Sequence, residues 1–238
     1  MAKRSKKKKK HARIKSDGLS MAETADRHVL YEAAVQCVEA EIDFVDQEFQ
    51  NLRGRRARTL REDFCGTAST SCEWVRRHAD NSATGVDLDS EVLQWGTENR
   101  VANLAPAARE RITLIEGDVM RVETALQDIV LAMNFSYFSF KERAQLRSYF
   151  RRTLGALIDD GVFFLDCYGG YDAFRELNEH TEHKGFTYVW DQASYNPVNG
   201  HTINHIHFRF DDGSRMKKAF SYDWRLWTLP ELREILVE

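Results

Sequence analysis

The sequence predicts an α/β fold: a doubly wound, mostly parallel sheet, a small antiparallel sheet inserted after it, and a helix in front. Three observations carry this. From about 57 to 168, short apolar strand-like segments alternate with longer helical ones, which calls for right-handed crossovers and a sheet covered on both faces. After residue 184 the pattern changes to a period of two, as in strands that bury one face only. Before the core, Leu30, Ala34, Cys37, Val38, Ile42, Val45 and Phe49 recur at helical spacing, predicting one amphipathic helix over about 24–50.

The elements follow in order. Thr59 to Phe64 reads as a strand entering a turn at Cys65-Gly66-Thr67, and residues about 69–79 as a helix. Ala83 to Leu88 is the second strand, with Ser90 as the cap of the next helix, since a short hydroxyl side chain satisfies free amides there. Ile112 to Glu116 and the apolar Asp128 to Met133 give two more strands. Ser139 is placed as the cap of a helix through Leu146, Tyr149, Phe150, Leu154 and Leu157, and Gly161 opens a further strand, VFFLDCY. Thr187 to Tyr195, His201 to Phe210 and Arg215 to Trp224 form the antiparallel strands, divided by NPVNG and DDGS, segments rich in turn formers. The stretch EHTEH around His180 and His183 reads as a surface helix.

The chain has 238 residues, 42% of them hydrophobic and 11% aromatic, enough to pack a core and to exclude a wholly disordered polymer. No apolar run is long enough to span a bilayer and none follows the basic N-terminus as a secretory signal would require. The four cysteines, Cys37, Cys65, Cys72 and Cys167, form no C-x-x-C pair, as expected of reduced thiols in a cytoplasmic protein. Nine of the 34 Lys/Arg residues and none of the 37 Asp/Glu fall within residues 1–15. Residues 1–20 are therefore expected to be a disordered basic tail on an acidic domain spanning 21–238. Such a tail suits weak nucleic-acid contact or an import signal; equally it suits a solubilising leader, absent if translation starts at Met21.

In a parallel sheet, ligands sit at the carboxyl ends of strands near the switch point. Here those ends hold Glu62 to Ala68, Asp87 to Asp89, Asp118-Val119 and Asn134 to Phe138. Gly66 in a tight turn lets backbone approach a ligand. Asp87 has two oxygens to accept both hydroxyls of a ribose, and Asp118 can accept a purine amine. In combination they describe an adenosine site.

These stretches resemble the class I S-adenosylmethionine-dependent methyltransferases, whose fold is Rossmann-like. LREDFCGTA is similar to that family's first motif, GVDLD to the second, GDV to the third, DIVLAMNFSYF to the fourth, and GALIDDGVFFLDCY to the segment closing the core. The resemblance covers about residues 57–168. It implies S-adenosyl-L-methionine as cofactor, bound by Glu62, Cys65, Gly66, Asp87, Leu88, Asp118, Val119, Asn134 and Phe135. It implies Asn134 and Tyr137 as candidate catalytic residues. Phe64 and Ala68 depart from the pattern, standing where the family has glycines. With one glycine left, a pyrophosphate grip is nearly excluded, whereas the acidic Glu62-Asp63 pair suits a sulfonium cation. The chain also reaches Glu238 inside a helix, where the family continues into two further strands, so a fragment or an incomplete sheet is expected.

The sequence after the fourth strand is Asn134-Phe135-Ser136-Tyr137, not the Asn-Pro-Pro-Tyr of base-amino methyltransferases, and no Pro-Cys pair is present. Cys65 thus reads as a packed thiol. The front helix and antiparallel strands resemble lids over a small buried acceptor, with Tyr31 and Tyr137 as candidate walls. Asp166, Tyr168 and His205 are candidate general bases. His201 and His207 would lie about 20 Å apart on an extended strand, so no metal is expected. The expected activity is methyl transfer to a small molecule, with RNA or protein acceptors, or a non-catalytic binding module, as the alternatives. Oligomeric state is left open.

Overall fold

A computed structural model describes residues 18–238; the basic run at residues 1–17 lies outside the described residues. Five parallel strands form the main sheet in the order β3-β2-β1-β4-β5: β1 Thr59–Asp63, β2 Ser82–Asp87, β3 Ile112–Glu116, β4 Gln127–Ala132 and β5 Leu157–Leu165. Every residue of β4 is buried, as expected of an apolar central strand. The order reverses between β1 and β4, which puts the switch point at the turns after Asp63 and Ala132.

The helices are α1 Met21–Thr24, α2 Arg27–Val35, α3 Val38–Arg53, α4 Ser69–Arg77, α5 Ser90–Asn99, α6 Pro106–Arg109, α7 Arg143–Leu154 and α8 Leu229–Leu236. Ile42, Val45 and Phe49 of α3 pack with Leu60, Trp74 and Ile129 on one side of the sheet. Tyr137, Phe138, Leu146, Tyr149, Trp227 and Leu232 fill the other core. No helix among the described residues is long and apolar enough to cross a membrane.

A second sheet, antiparallel, runs β6 Leu177–His183, β7 Phe186–Tyr195, β8 His201–Phe210 and β9 Arg215–Arg225. Its apolar side, with Ile206, Phe208, Met216 and Phe220, closes on Leu30, Tyr31 and Ala34 of α2. The small sheet and α2 are thus packed together over the switch point.

Six local expectations are corrected. The single helix over 24–50 is three helices, broken at Ala25-Asp26 and at Gln36-Cys37, where the backbone is extended or irregular. Its apolar stripe serves two partners: Leu30 and Ala34 meet the small sheet, Ile42 and Val45 the main one. One straight rod cannot face both. Ser20, expected within the tail, carries the capping box of α1. Asp89, not Ser90, caps α5 by accepting from the amides of Glu91 and Val92. Glu142, not Ser139, precedes α7, because the Ser139 hydroxyl instead donates to the Ser136 carbonyl and ends a short 3-10 turn. Strand β5 begins at Leu157, and the segment around His180 and His183 is the edge strand β6. That strand is exposed on most positions, so it carries no apolar alternation to read.

Candidate functional site

The turn after β1 carries the site. Phe64 (φ 59°) and Ala68 (φ 59°) adopt the left-handed conformation on either side of Gly66 (φ 52°). They hold the glycine-like backbone that their places in the first motif require, at a cost of about 1–2 kcal/mol each. Tertiary packing compensates: the Phe64 ring lies 5.8 Å from Phe140 and 5.7 Å from Tyr149, and Ala68 is sealed with Cys65 and Leu93. A β-carbon on Gly66 would meet nothing within 4 Å, so the loop presents bare backbone on that side.

Asp87, ending β2, organises that loop. One carboxylate oxygen accepts the Gly66 amide at 2.8 Å and the other the Asp89 amide at 3.0 Å, which leaves lone pairs on each for a ligand. Glu62 is buried; its carboxylate accepts from the Ser71 amide (2.9 Å) and hydroxyl (2.5 Å). Burial pushes its carboxyl up to about 8. Asp63, on the opposite face of β1, is also buried; it takes Arg61 Nε at 2.7 Å and the Tyr149 hydroxyl at 2.9 Å. Burial raises its pKa, opposed by the Arg61 charge.

Above these residues lies a cavity of about 520 Å³, lined by the 62–67 turn, Asp87, Asp89, Val92, Met133, Asn134 and Ser136 below. Arg27, His28, Tyr31 and Gln36, with Lys218 to Tyr222 of β9, roof it. A second cavity of about 260 Å³ adjoins it and shares Tyr31, Asn134 and Tyr222. Its remaining lining is Val35, Phe135, Tyr168, Glu179, Tyr188, Trp190, Ile206 and Trp224.

Of the sequence-predicted residues, Glu62, Cys65, Gly66, Asp87 and Asn134 line the first cavity, and Asn134 and Phe135 the second. Leu88 is exposed, Val119 lies in the core and Asp118 accepts from the Met120 amide; these three fall outside both linings. The Cys65 thiol is buried and burial pushes its pKa well up, so it is protonated and packed. Tyr137 is buried, with its hydroxyl donating to the Asp166 carbonyl at 2.6 Å, and lines neither cavity.

Among the candidate bases, Asp166 accepts the amides of Asn134 and Phe135, each at 2.9 Å. Both residues are left-handed (φ 56° and 57°), and this carboxylate fixes their strained turn. His205 lines neither cavity, but bonds Ser221 of the first cavity's lining at 2.8 Å. Tyr168 lines the second cavity and bonds Gln192.

Glu32 went unnoticed in the sequence. From α2 it accepts the hydroxyls of Thr67 (2.6 Å) and Ser69 (2.7 Å) and pairs with Arg100. It thereby ties the roof helix to the loop. Its partners lie 35, 37 and 68 residues away, and no local pattern announces such a tie.

No family model and no curated protein matches this sequence, but solved structures do. An S-adenosylmethionine-dependent methyltransferase from Clostridium acetobutylicum superposes with TM-score 0.69 at 17% identity, over 88% of this chain and 84% of that one. CalS10, an amino pentose methyltransferase from Micromonospora echinaspora, gives 0.69 at 15% identity, over 88% and 86%. The sugar N-methyltransferase KedS8 from Streptoalloteichus gives 0.65 at 17% identity, over 98% and 90%. The chain therefore has the fold of the class I S-adenosylmethionine-dependent methyltransferases.

Proposed function

We propose that the protein binds S-adenosyl-L-methionine in the larger cavity and transfers its methyl group to a small molecule held in the adjoining one. The observation that carries the reading is their contiguity through Tyr31, Asn134 and Tyr222 at the switch point. The residues fit the cofactor: Asp87 has free lone pairs for ribose hydroxyls, Gly66 offers uncovered backbone, and the Asp87 and Asp89 carboxylates supply negative charge for a cation. Fold-mates named for amino pentose and sugar N-methylation support a small acceptor.

When bound, S-adenosylmethionine supplies a methyl group on a positively charged sulfur. The protein's own work is alignment and exclusion of water. Asp166 locks the turn that places Asn134 and Phe135 between the cavities. Roof residues of α2 and β9 shield the junction, and Glu32 fastens that roof to the loop.

Calorimetry with adenosylhomocysteine tests the reading. Asp87→Ala removes charge-assisted hydrogen bonds each worth about 1.5–3 kcal/mol, so affinity is expected to fall tens-fold or more while the variant stays folded. Unchanged affinity in a folded Asp87→Ala protein defeats the assignment.

A further inference from the structure

The smaller cavity differs in kind from its neighbour. Its walls are aromatic faces: Tyr222 and Trp224 stack at 4.4 Å between centroids, Trp190 lies 6.1 and 6.2 Å from them, and Tyr168 stands edge-on to Trp190 at 6.2 Å. No Lys, Arg or His lines it, and its one carboxylate is Glu179, an exposed residue of edge strand β6 paired opposite Trp190. The tyrosines remain neutral, because burial pushes Tyr31 up to about 12 and raises Tyr168, Tyr188 and Tyr222 as well.

Ring faces carry negative quadrupole and attract cations, most strongly when several converge out of water. A carboxylate at the rim adds to that field. A phenol or other acidic hydroxyl would need a base beside it, and the sole carboxylate lies at the exposed edge. An amine needs none once it has released its ammonium proton to water.

We infer that the acceptor is an organic amine, held and methylated in this aromatic chamber with Glu179 at its mouth. The inference rests on the methyl-transfer reading and names its substrate class. In the step, the amine lone pair forms a nitrogen–carbon bond as the sulfur–carbon bond breaks. The bonding electrons stay on sulfur, the positive charge passes to nitrogen, and an N–H proton, where one remains, leaves to water. The rings stabilise nitrogen as that charge develops.

Choline and its uncharged isostere 3,3-dimethylbutan-1-ol separate charge from shape. Adenosylhomocysteine binding is measured first, then both probes are titrated against the complex. Choline is expected to bind roughly tenfold tighter than the isostere. Glu179→Gln, an exposed change, should narrow that gap several-fold without altering the isostere. Trp190→Leu should weaken choline while adenosylhomocysteine still binds, which also reports an intact fold. Equal binding of the two probes, or a gap that Glu179→Gln leaves untouched, overturns the amine assignment alone. Failure to bind adenosylhomocysteine overturns the methyl-transfer reading and the amine assignment with it.

Discussion

The larger cavity takes its floor from residues at the ends of β1, β2 and β4, whereas the smaller one is walled by side chains drawn from α2 and across all four strands of the small sheet. The first depends on backbone: left-handed residues, a bare glycine, amides held by Asp87. The second depends on ring faces. Buried acids gather beneath the first, and the second has one exposed acid. Backbone-built ground is fixed by the parallel sheet and suits a constant ligand. Ground built of side chains on a separate sheet can be rewritten without touching the loop. This division predicts that damage to the acid floor acts on stability and on the cofactor, not on the chamber's preference for charge.

The largest effect is expected at the Arg61–Asp63 pair, whose side chains are 5% and 1% exposed. Arg61→Met leaves Asp63 buried with Tyr149 as its remaining side-chain partner. Stripping one member of a buried pair costs about 3–5 kcal/mol, to be read from urea unfolding. Because the pair itself repays its desolvation poorly, Arg61→Met with Asp63→Leu should recover much of the loss. A single variant as stable as the parent would show that the ion pair does not support the floor.

The second effect is pH dependence. Burial pushes Glu41 up to about 7 and Glu62 up to about 8, and the Glu41 Oε1 atom has no hydrogen-bond partner among the described residues. Unfolded carboxyls ionise near 4.3, so between pH 5 and 8 the folded state holds protons that the unfolded state has lost. Stability therefore falls as pH rises through this window. Glu41→Gln should flatten the fall by up to about 3 kcal/mol. Parallel pH profiles for parent and variant would place the titration elsewhere.

The same division explains what could be read in advance. Strands β3 and β8 were legible to the residue, and β1, β2, β4, β7 and β9 to within one, because apolar runs in the parallel sheet and period-two alternation in the small one both mark strands between turn formers. Glu62, Gly66, Asp87 and Asn134 were legible because chain order brings strand ends together. Of the chamber only Tyr31, Asn134, Phe135 and Tyr168 were, and not the contacts that assemble it. Tyr31 meets Phe220 at 4.9 Å across nearly the whole sequence, and Glu179 sits on a strand with no alternation. Which ring faces which cavity depends on the bulges in β7 and β8 pairing, which shift register with no mark in local composition.

Gly96 gives the smallest and sharpest test of the backbone-built cavity. It lies in α5, directly beneath the loop, and a β-carbon there would stand 2.5 Å from the Thr67 carbonyl oxygen. Real contacts do not come so close, and the neighbour is backbone, so the helix or the loop must move. Overpacking of this kind costs about 1–3 kcal/mol, slightly offset by alanine's better helix propensity. The displaced carbonyl belongs to the residue after Gly66, whose amide Asp87 holds. Gly96→Ala should therefore lower adenosylhomocysteine affinity several-fold in calorimetry. The ratio of choline to isostere binding should stay as in the parent, since the atoms nearest a β-carbon on Gly96 belong to Thr67, which does not line the chamber. If that ratio changes while cofactor affinity holds, the two cavities are coupled through the loop and the division between backbone and side chain fails.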